Sequence, residues 1–227
     1  SARVDPVRVQ SQGLGDGLWL IGGGSHNSVA VEFGDYVAVI EAPLNEERSL
    51  AVIDEVNRLI PNKPIRFIVN THHHWDHMGG IRSYVHEGAT VITHEGNHPY
   101  YQEVLRAGPW ILEPDRFSLY PPEEWSEGYI FETMSEEFVL TDDSRTVEIY
   151  HVQGLAHAEG MLIAYIPSEK IVVQADLYNP RAQAPDASSR TFYQALLRLD
   201  LDVTTIVGIH GNPVPMAQFV EFASRGR

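Results

Sequence analysis

Thr71-His72-His73-His74-Trp75-Asp76-His77-Met78-Gly79-Gly80 decides the reading of this chain. Its side chains follow the pattern His-x-His-x-Asp-His. The stretch comes directly after an apolar run, Ile65-Arg66-Phe67-Ile68-Val69-Asn70, that reads as a buried strand. A strand ending in imidazoles and a carboxylate presents them in the loop at its tip. Neutral imidazole and carboxylate both suit zinc and its neighbours. One catalytic ion usually takes three protein ligands and keeps a position open for water, so His72, His74, Asp76 and His77 are too many for a single ion. The spacing points to two ions, with His72 and His74 on one and Asp76 and His77 on the other. A histidine run is also what a purification tag looks like, but a tag belongs at a terminus and this run lies inside the chain. A solvated loop has no reason to add Asp76 at that offset or Gly79-Gly80 behind it.

His72-x-His74-x-Asp76-His77 resembles the signature of the metallo-β-lactamase-fold hydrolases. Three later strand ends carry the resemblance on. His157 lies in Gly154-Leu155-Ala156-His157-Ala158-Glu159-Gly160, a Gly-flanked loop between two apparent strands. The family loop commonly reads Gly-His-Thr-x-Gly; here the Gly stands three residues before His157 and Ala158 replaces the Thr. Asp176 ends Lys170-Ile171-Val172-Val173-Gln174-Ala175-Asp176, and a carboxylate there is costly unless it is paired or bound to metal. Its two oxygens can bridge two cations, as the family's Asp does. His210 follows Ile206-Val207-Gly208-Ile209 and matches the family's last ligand, with His26, His86, His94, His98 and His151 as rivals. The resemblance thus implies His72, His74 and His157 on the first metal, Asp76, His77 and His210 on the second, and Asp176 between them. It covers the chain from about Trp19 to Phe222. His73 and Trp75 alternate with the ligands and are expected to point away. Glu41, at another strand end, is a candidate to accept the free N–H of a ligating histidine.

Composition narrows the function. The chain has 227 residues, 43% hydrophobic and 21% charged, enough for one domain with a sizeable core. Its 16 basic and 31 acidic residues give a net charge of −15, which argues against a nucleic-acid binder or an anionic membrane surface as partner. A di-metal site adds about +4 locally and can still draw an anionic small-molecule substrate. There is no cysteine, which excludes disulfides, Cys-zinc sites and a Cys nucleophile. No apolar run is long enough for a transmembrane helix. The chain starts at Ser1 rather than Met, which fits loss of a signal peptide or upstream segment, and so a soluble, exported or periplasmic protein, as well as a cloning remnant. Oligomeric state is left open.

Hydrophobic patterning predicts a single domain over 1–227. Residues 1–17 read as an irregular lead-in. Strands are expected at 18–21, 27–33, 36–40, 65–70, 90–93, 137–140, 146–152, 161–166, 170–175 and 203–209. Helices are expected at about 45–60, 79–86, 96–106, 188–199 and 215–223. Residues 107–135, with Trp110, Phe117, Tyr120, Trp125, Tyr129 and Phe131 among four prolines, read as a long insertion near the site mouth. An α+β fold with two mixed sheets face to face and helices outside is the natural packing, and the resemblance implies the four-layer αβ/βα sandwich.

Two divalent ions, zinc first and iron or manganese as alternatives, would lower the pKa of a shared water and polarise the substrate. Asp76 would orient the nucleophile and carry a proton. The acid at 176 resembles the Asp-bridged branch of glyoxalase II-like thioesterases, lactonases and esterases more than the true β-lactamases. The expected substrate is therefore an ester, lactone, thioester or amide. The alternatives are a β-lactamase-like main or side activity, and a metal-binding scaffold without hydrolytic turnover.

Overall fold

Runs of Val, Ile and Ala between glycine turns build the first sheet. The computed structural model describes residues 7–106, 114–120 and 130–225. The first sheet holds seven strands in sequential order: β1 (Gln10–Gly15), β2 (Leu18–Gly23), β3 (His26–Glu32), β4 (Val37–Ile40), β5 (Ile65–Val69), β6 (Thr90–His94) and β7 (Phe131–Met134). The pairs from β1 to β4 are antiparallel and those from β4 to β7 parallel. The second sheet is ordered β13-β12-β11-β10-β9-β8, from β8 (Glu137–Thr141), β9 (Thr146–His151), β10 (Leu162–Ile166), β11 (Ile171–Gln174), β12 (Thr205–Gly208) and β13 (Val214–Pro215). It too is mixed, with β11 and β12 parallel and the other pairs antiparallel.

Side-chain alternation makes three buried layers, and hence four structural ones. Leu18, Leu20, Val29 and Val31 of the first sheet pack against Leu162, Ala164, Ile166 and Val173 of the second. Their neighbours Ile21, Ala30 and Val39 point the other way, into α1 (Glu46–Leu59), α3 (Ile81–His86) and α4 (His98–Arg106). On the far side, Ile163, Val172 and Ile206 meet Phe192, Leu196 and Phe219 of α6 (Ala187–Arg198) and α7 (Met216–Ala223). All four residues of β4 are buried because helices and the second sheet cover both its faces. Short helices α2 (Trp75–Met78) and α5 (Arg116–Leu119) and a 3-10 turn at Glu95–Asn97 are the remaining helical pieces among the described residues. Among the described residues no helix is long and apolar enough to cross a membrane.

Two expected irregular stretches are partly strand. β1 lies within 1–17; it is a mostly exposed edge strand whose polar sequence carries no apolar alternation. β7 lies within 107–135, where Phe131 faces the helix layer and Met134 the inter-sheet core. Phe117 is also buried in the core. Trp110, Trp125 and Tyr129 of the same stretch lie outside the described residues. β13, two residues long, is too short to leave a periodic signal.

One buried side chain ties the helix layer to the first sheet. Asn45 caps α1 by accepting from Arg48 N, and Glu46 and Glu47 sit in the first turn, where the helix dipole favours anions. Arg48, 2% exposed, donates from Nε to Gly23 O (3.3 Å) and from Nη2 to Ile21 O (3.2 Å) and His26 O (3.0 Å). It holds the β2–β3 turn in place. Arg48→Met keeps the apolar stem and removes these three guanidinium bonds. The expected loss in unfolding free energy is roughly 2–4 kcal/mol, read from urea denaturation of the metal-free protein. A loss under about 0.5 kcal/mol, the range of an ordinary surface change, would contradict this role.

Candidate metal centre

Two buried acids organise the ends of the strands. Glu41, one residue past β4, is fully buried in a left-handed conformation (φ 77°). Its carboxylate accepts from Asn70 Nδ2, from Thr71 N (3.1 Å) and from Thr71 Oγ1 (2.7 Å), and pairs with His77 Nδ1 (3.1 Å). Asn70 also donates to His77 O (2.9 Å) and accepts from the Tyr101 hydroxyl. The loop after β5 is therefore clamped from below. Gly79 and Gly80 let it press on the start of α1: a Cβ would collide with Leu44 O at the first and with Ser49 Oγ at the second. Gly80 N donates to Ala42 O (2.9 Å).

Asp176 is the second acid, past β11 and also left-handed (φ 59°). Its Oδ2 lies 3.0 Å from His157 Nε2, 3.1 Å from His77 Nε2 and 3.6 Å from His72 Nε2, and its Oδ1 lies 3.0 Å from His210 Nε2. Around it the donors fall into two groups, His72, His74, His157 and Asp176, and His26, Asp76, His77 and His210. Within each group the candidate ligand atoms all lie within 4.8 Å of one another, close enough for one ion. The outward ring nitrogens are held by other partners: His72 Nδ1 by Thr71 Oγ1 (3.0 Å), His77 Nδ1 by Glu41, and His210 Nδ1 by Ser25 O (3.0 Å). The buried Nε2 of His26 lies 3.4 Å from Asp76, and the buried Nε2 of His77 has only its charge contact with the two acids, 3.1 Å from Asp176 and 3.6 Å from Asp76. Orphaned nitrogens facing carboxylates are what a cation-binding site looks like before its cation.

The two sheets meet here through backbone as well. Asn27 N donates to Ile209 O (2.8 Å), and its side chain donates to Gly208 O (3.0 Å) and Gly211 O (2.7 Å). Leu162 N donates to Thr71 O (2.8 Å). These bonds join the loop of each sheet to the other and bring residues distant in sequence to one point.

Electrostatics differ from ring to ring. Burial and the neighbouring His77 push His72 down to about 2, and burial with His210 and His77 pushes His26 down to about 4. Burial lowers His74 as well. These three rings are neutral near pH 7 and ready to bind metal. Burial also disfavours charge on His77, but Asp176 and Glu41 outweigh it and raise its pKa to about 10. Its bond to Asp176 raises His210. Burial would raise the Asp176 carboxyl; His210, His77 and His72 overcome it and hold the acid well below the usual carboxylate range.

A family model described as the metallo-beta-lactamase superfamily matches residues 21–210, most of the chain. The chain belongs to the metallo-β-lactamase superfamily. Solved structures of this superfamily share its fold. A metallo-β-lactamase from Pontibacter korlensis superposes with a TM-score of 0.73 at 15% identity, covering 96% of this chain and 98% of that one. One from Erythrobacter litoralis gives 0.68 at 18%, covering 95% and 96%. One from Pseudomonas aeruginosa, in a mono-zinc form, gives 0.64 at 19%, covering 96% and 94%. At these identities the likeness is one of fold. No curated protein sequence matches the chain significantly.

All seven residues singled out by the metallo-β-lactamase resemblance gather at this centre: His72, His74, Asp76, His77, His157, Asp176 and His210. His73 turns aside to Asn97 Oδ1 (3.0 Å), and Trp75 is 62% exposed. Of the rival histidines, His94 and His151 pack against each other at a tilt (4.1 Å between ring centroids), His98 packs on Phe131, and His86 lies beside Glu87. His26 alone among the rivals joins the site, and it does so alongside His210, not in its place. Asn70, Thr71 and Ser25 are further contributors that no spacing rule singles out. For Asn70 and Thr71 the trace in the sequence is a polar pair between a buried strand and a ligand loop; Ser25 leaves none.

The raised His77 and His210 set a pH dependence. A histidine raised from 6.5 to about 10 stabilises the metal-free fold fully below pH 6.5, and loses that contribution as pH climbs through 10. Binding of a divalent cation through His77 near pH 7.5 would displace its proton. Calorimetric zinc titrations in buffers of different ionisation enthalpy should show net proton release, and zinc affinity should rise with pH. Uptake without proton release would contradict the electrostatics described for His77.

Proposed function

We propose that the chain is a metal-dependent hydrolase whose centre takes two divalent ions, zinc first, and cleaves a small ester, lactone, thioester or amide. The observation that carries this reading is the Asp176 carboxylate, set between the two donor groups with one oxygen toward His210 and the other toward His157, His77 and His72. When bound, such a pair of ions lowers the pKa of a shared water and polarises an electrophilic carbonyl oxygen. The rest of the work falls to the chain. Asp176 and Glu41 hold the imidazoles in a fixed arrangement. Asp76, with a side chain 42% exposed, touches His26 (3.4 Å) and His77 (3.6 Å) and still reaches solvent. That position suits a carboxylate that orients a water and holds its proton.

The space beside the centre supports a small acyl substrate. A cavity of about 260 Å³ opens at His157, Asp176 and His210 and is walled by Tyr178, Asn179 and Phe222. A second of about 390 Å³ meets it at His210 and Asn179 and carries Arg181. The first has partly apolar walls with a few polar groups, as small-molecule sites do, whereas the second is lined by polar side chains and glycine. The acid at 176 favours the Asp-bridged, lactonase- or thioesterase-like branch; β-lactams, as cyclic amides, belong on the same substrate panel, with sulfate and phosphate esters.

Asp76→Asn should lower turnover on the best substrate of that panel by at least about a hundredfold while leaving the circular-dichroism spectrum unchanged. Chelation should abolish wild-type turnover and added zinc restore it. Chelator-resistant turnover would overturn the proposal, as would full zinc loading with no turnover on any member. Wild-type activity in Asp76→Asn would remove that residue from the chemistry.

A further inference from the structure

The second donor group has one member more than the family resemblance implies. His26 opens β3, far from the motif in sequence, and is 5% exposed. Its ring is oriented as a ligand's ring is. Nδ1 is held by Ser25 Oγ (2.8 Å), and the buried Nε2 faces inward, with only a long 3.4 Å contact to Asp76 Oδ2. Ser25 serves two rings at once, because its carbonyl meets His210 Nδ1 (3.0 Å). The ring centroids of His26 and His210 are 4.2 Å apart, and those of His26 and His77 are 5.1 Å apart. The backbone is fixed on both sides of the ring: Arg48 donates to His26 O, and Asn27 is bonded to the Gly208–Gly211 loop. A solvent-facing histidine needs none of this, and a core histidine would satisfy both nitrogens.

We infer that His26 is a direct ligand of the second ion, joining Asp76, His77 and His210 with Asp176 shared. The inference rests on the di-metal reading above. It makes the two sites unequal. With Asp176 shared, the second ion is offered five protein donors and the first four. The second ion is then the more tightly held, and at limiting zinc the first equivalent settles beside His26.

Wild-type protein crystallised with zinc tests this by anomalous scattering at the zinc edge. The expected result is two peaks, one with His26 Nε2 at about 2.0–2.1 Å. One equivalent of zinc should populate that peak alone. In solution, His26→Ala should weaken the second ion by at least about tenfold in chelator-buffered dialysis, with the first ion's affinity unchanged. Two peaks with His26 Nε2 beyond 3 Å from both would overturn the ligand assignment and leave the di-metal reading standing. Fewer than two peaks at saturating zinc would overturn the di-metal reading itself. Because the diffraction arm uses wild-type protein, a variant that fails to fold does not leave the inference undecided.

Discussion

Two carboxylates placed where the sheets meet set the terms for the rest of the molecule. Glu41 has no exposed surface, and Asp176 is largely enclosed by imidazoles. An ionised carboxylate in such a place is unfavourable unless donors and positive charge surround it. Thr71, Asn70 and His77 meet that need for Glu41. His157, His77 and His210 meet it in part for Asp176, and a cation would complete it. The left-handed backbone at both acids belongs to the same arrangement. Positive φ for a residue other than glycine is a cost a fold keeps when the position serves a site.

The layered fold serves this convergence. β4 and β5 deliver Glu41 and the 71–80 loop from the first sheet; β11 and β12 deliver Asp176 and His210 from the second. Asn27 and Thr71 cross between sheets with backbone bonds, so the centre is a seam between the two sheets. A net charge of −15 is compatible with work on anions because the local potential is set by the ions the seam would hold.

The amount legible in sequence followed from how local each cause is. His72, His74, Asp76 and His77 share one loop after one strand, so spacing alone exposes them. His157, Asp176 and His210 each follow an apolar run, and a polar donor at a strand end is a readable oddity once the loop is known. His26 begins a strand after three glycines, and its meeting with His210 depends on sheet contacts that no local pattern encodes. The same holds for Tyr101, which reaches Asn70 from α4. β1 and β7 were missed because sheet-edge strands are stabilised by a neighbour's backbone and need little apolar alternation.

Asp176 joins the two donor groups into one centre. The most direct measurement is the number of zinc ions per chain at saturation, by dialysis of metal-free protein and elemental analysis, in the wild type and in Asp176→Ala. The account predicts two ions in the wild type and weakened binding of both in the variant, since the lost carboxylate faces both groups. A single ion in the wild type, or two ions held with unchanged affinity by Asp176→Ala, would contradict it.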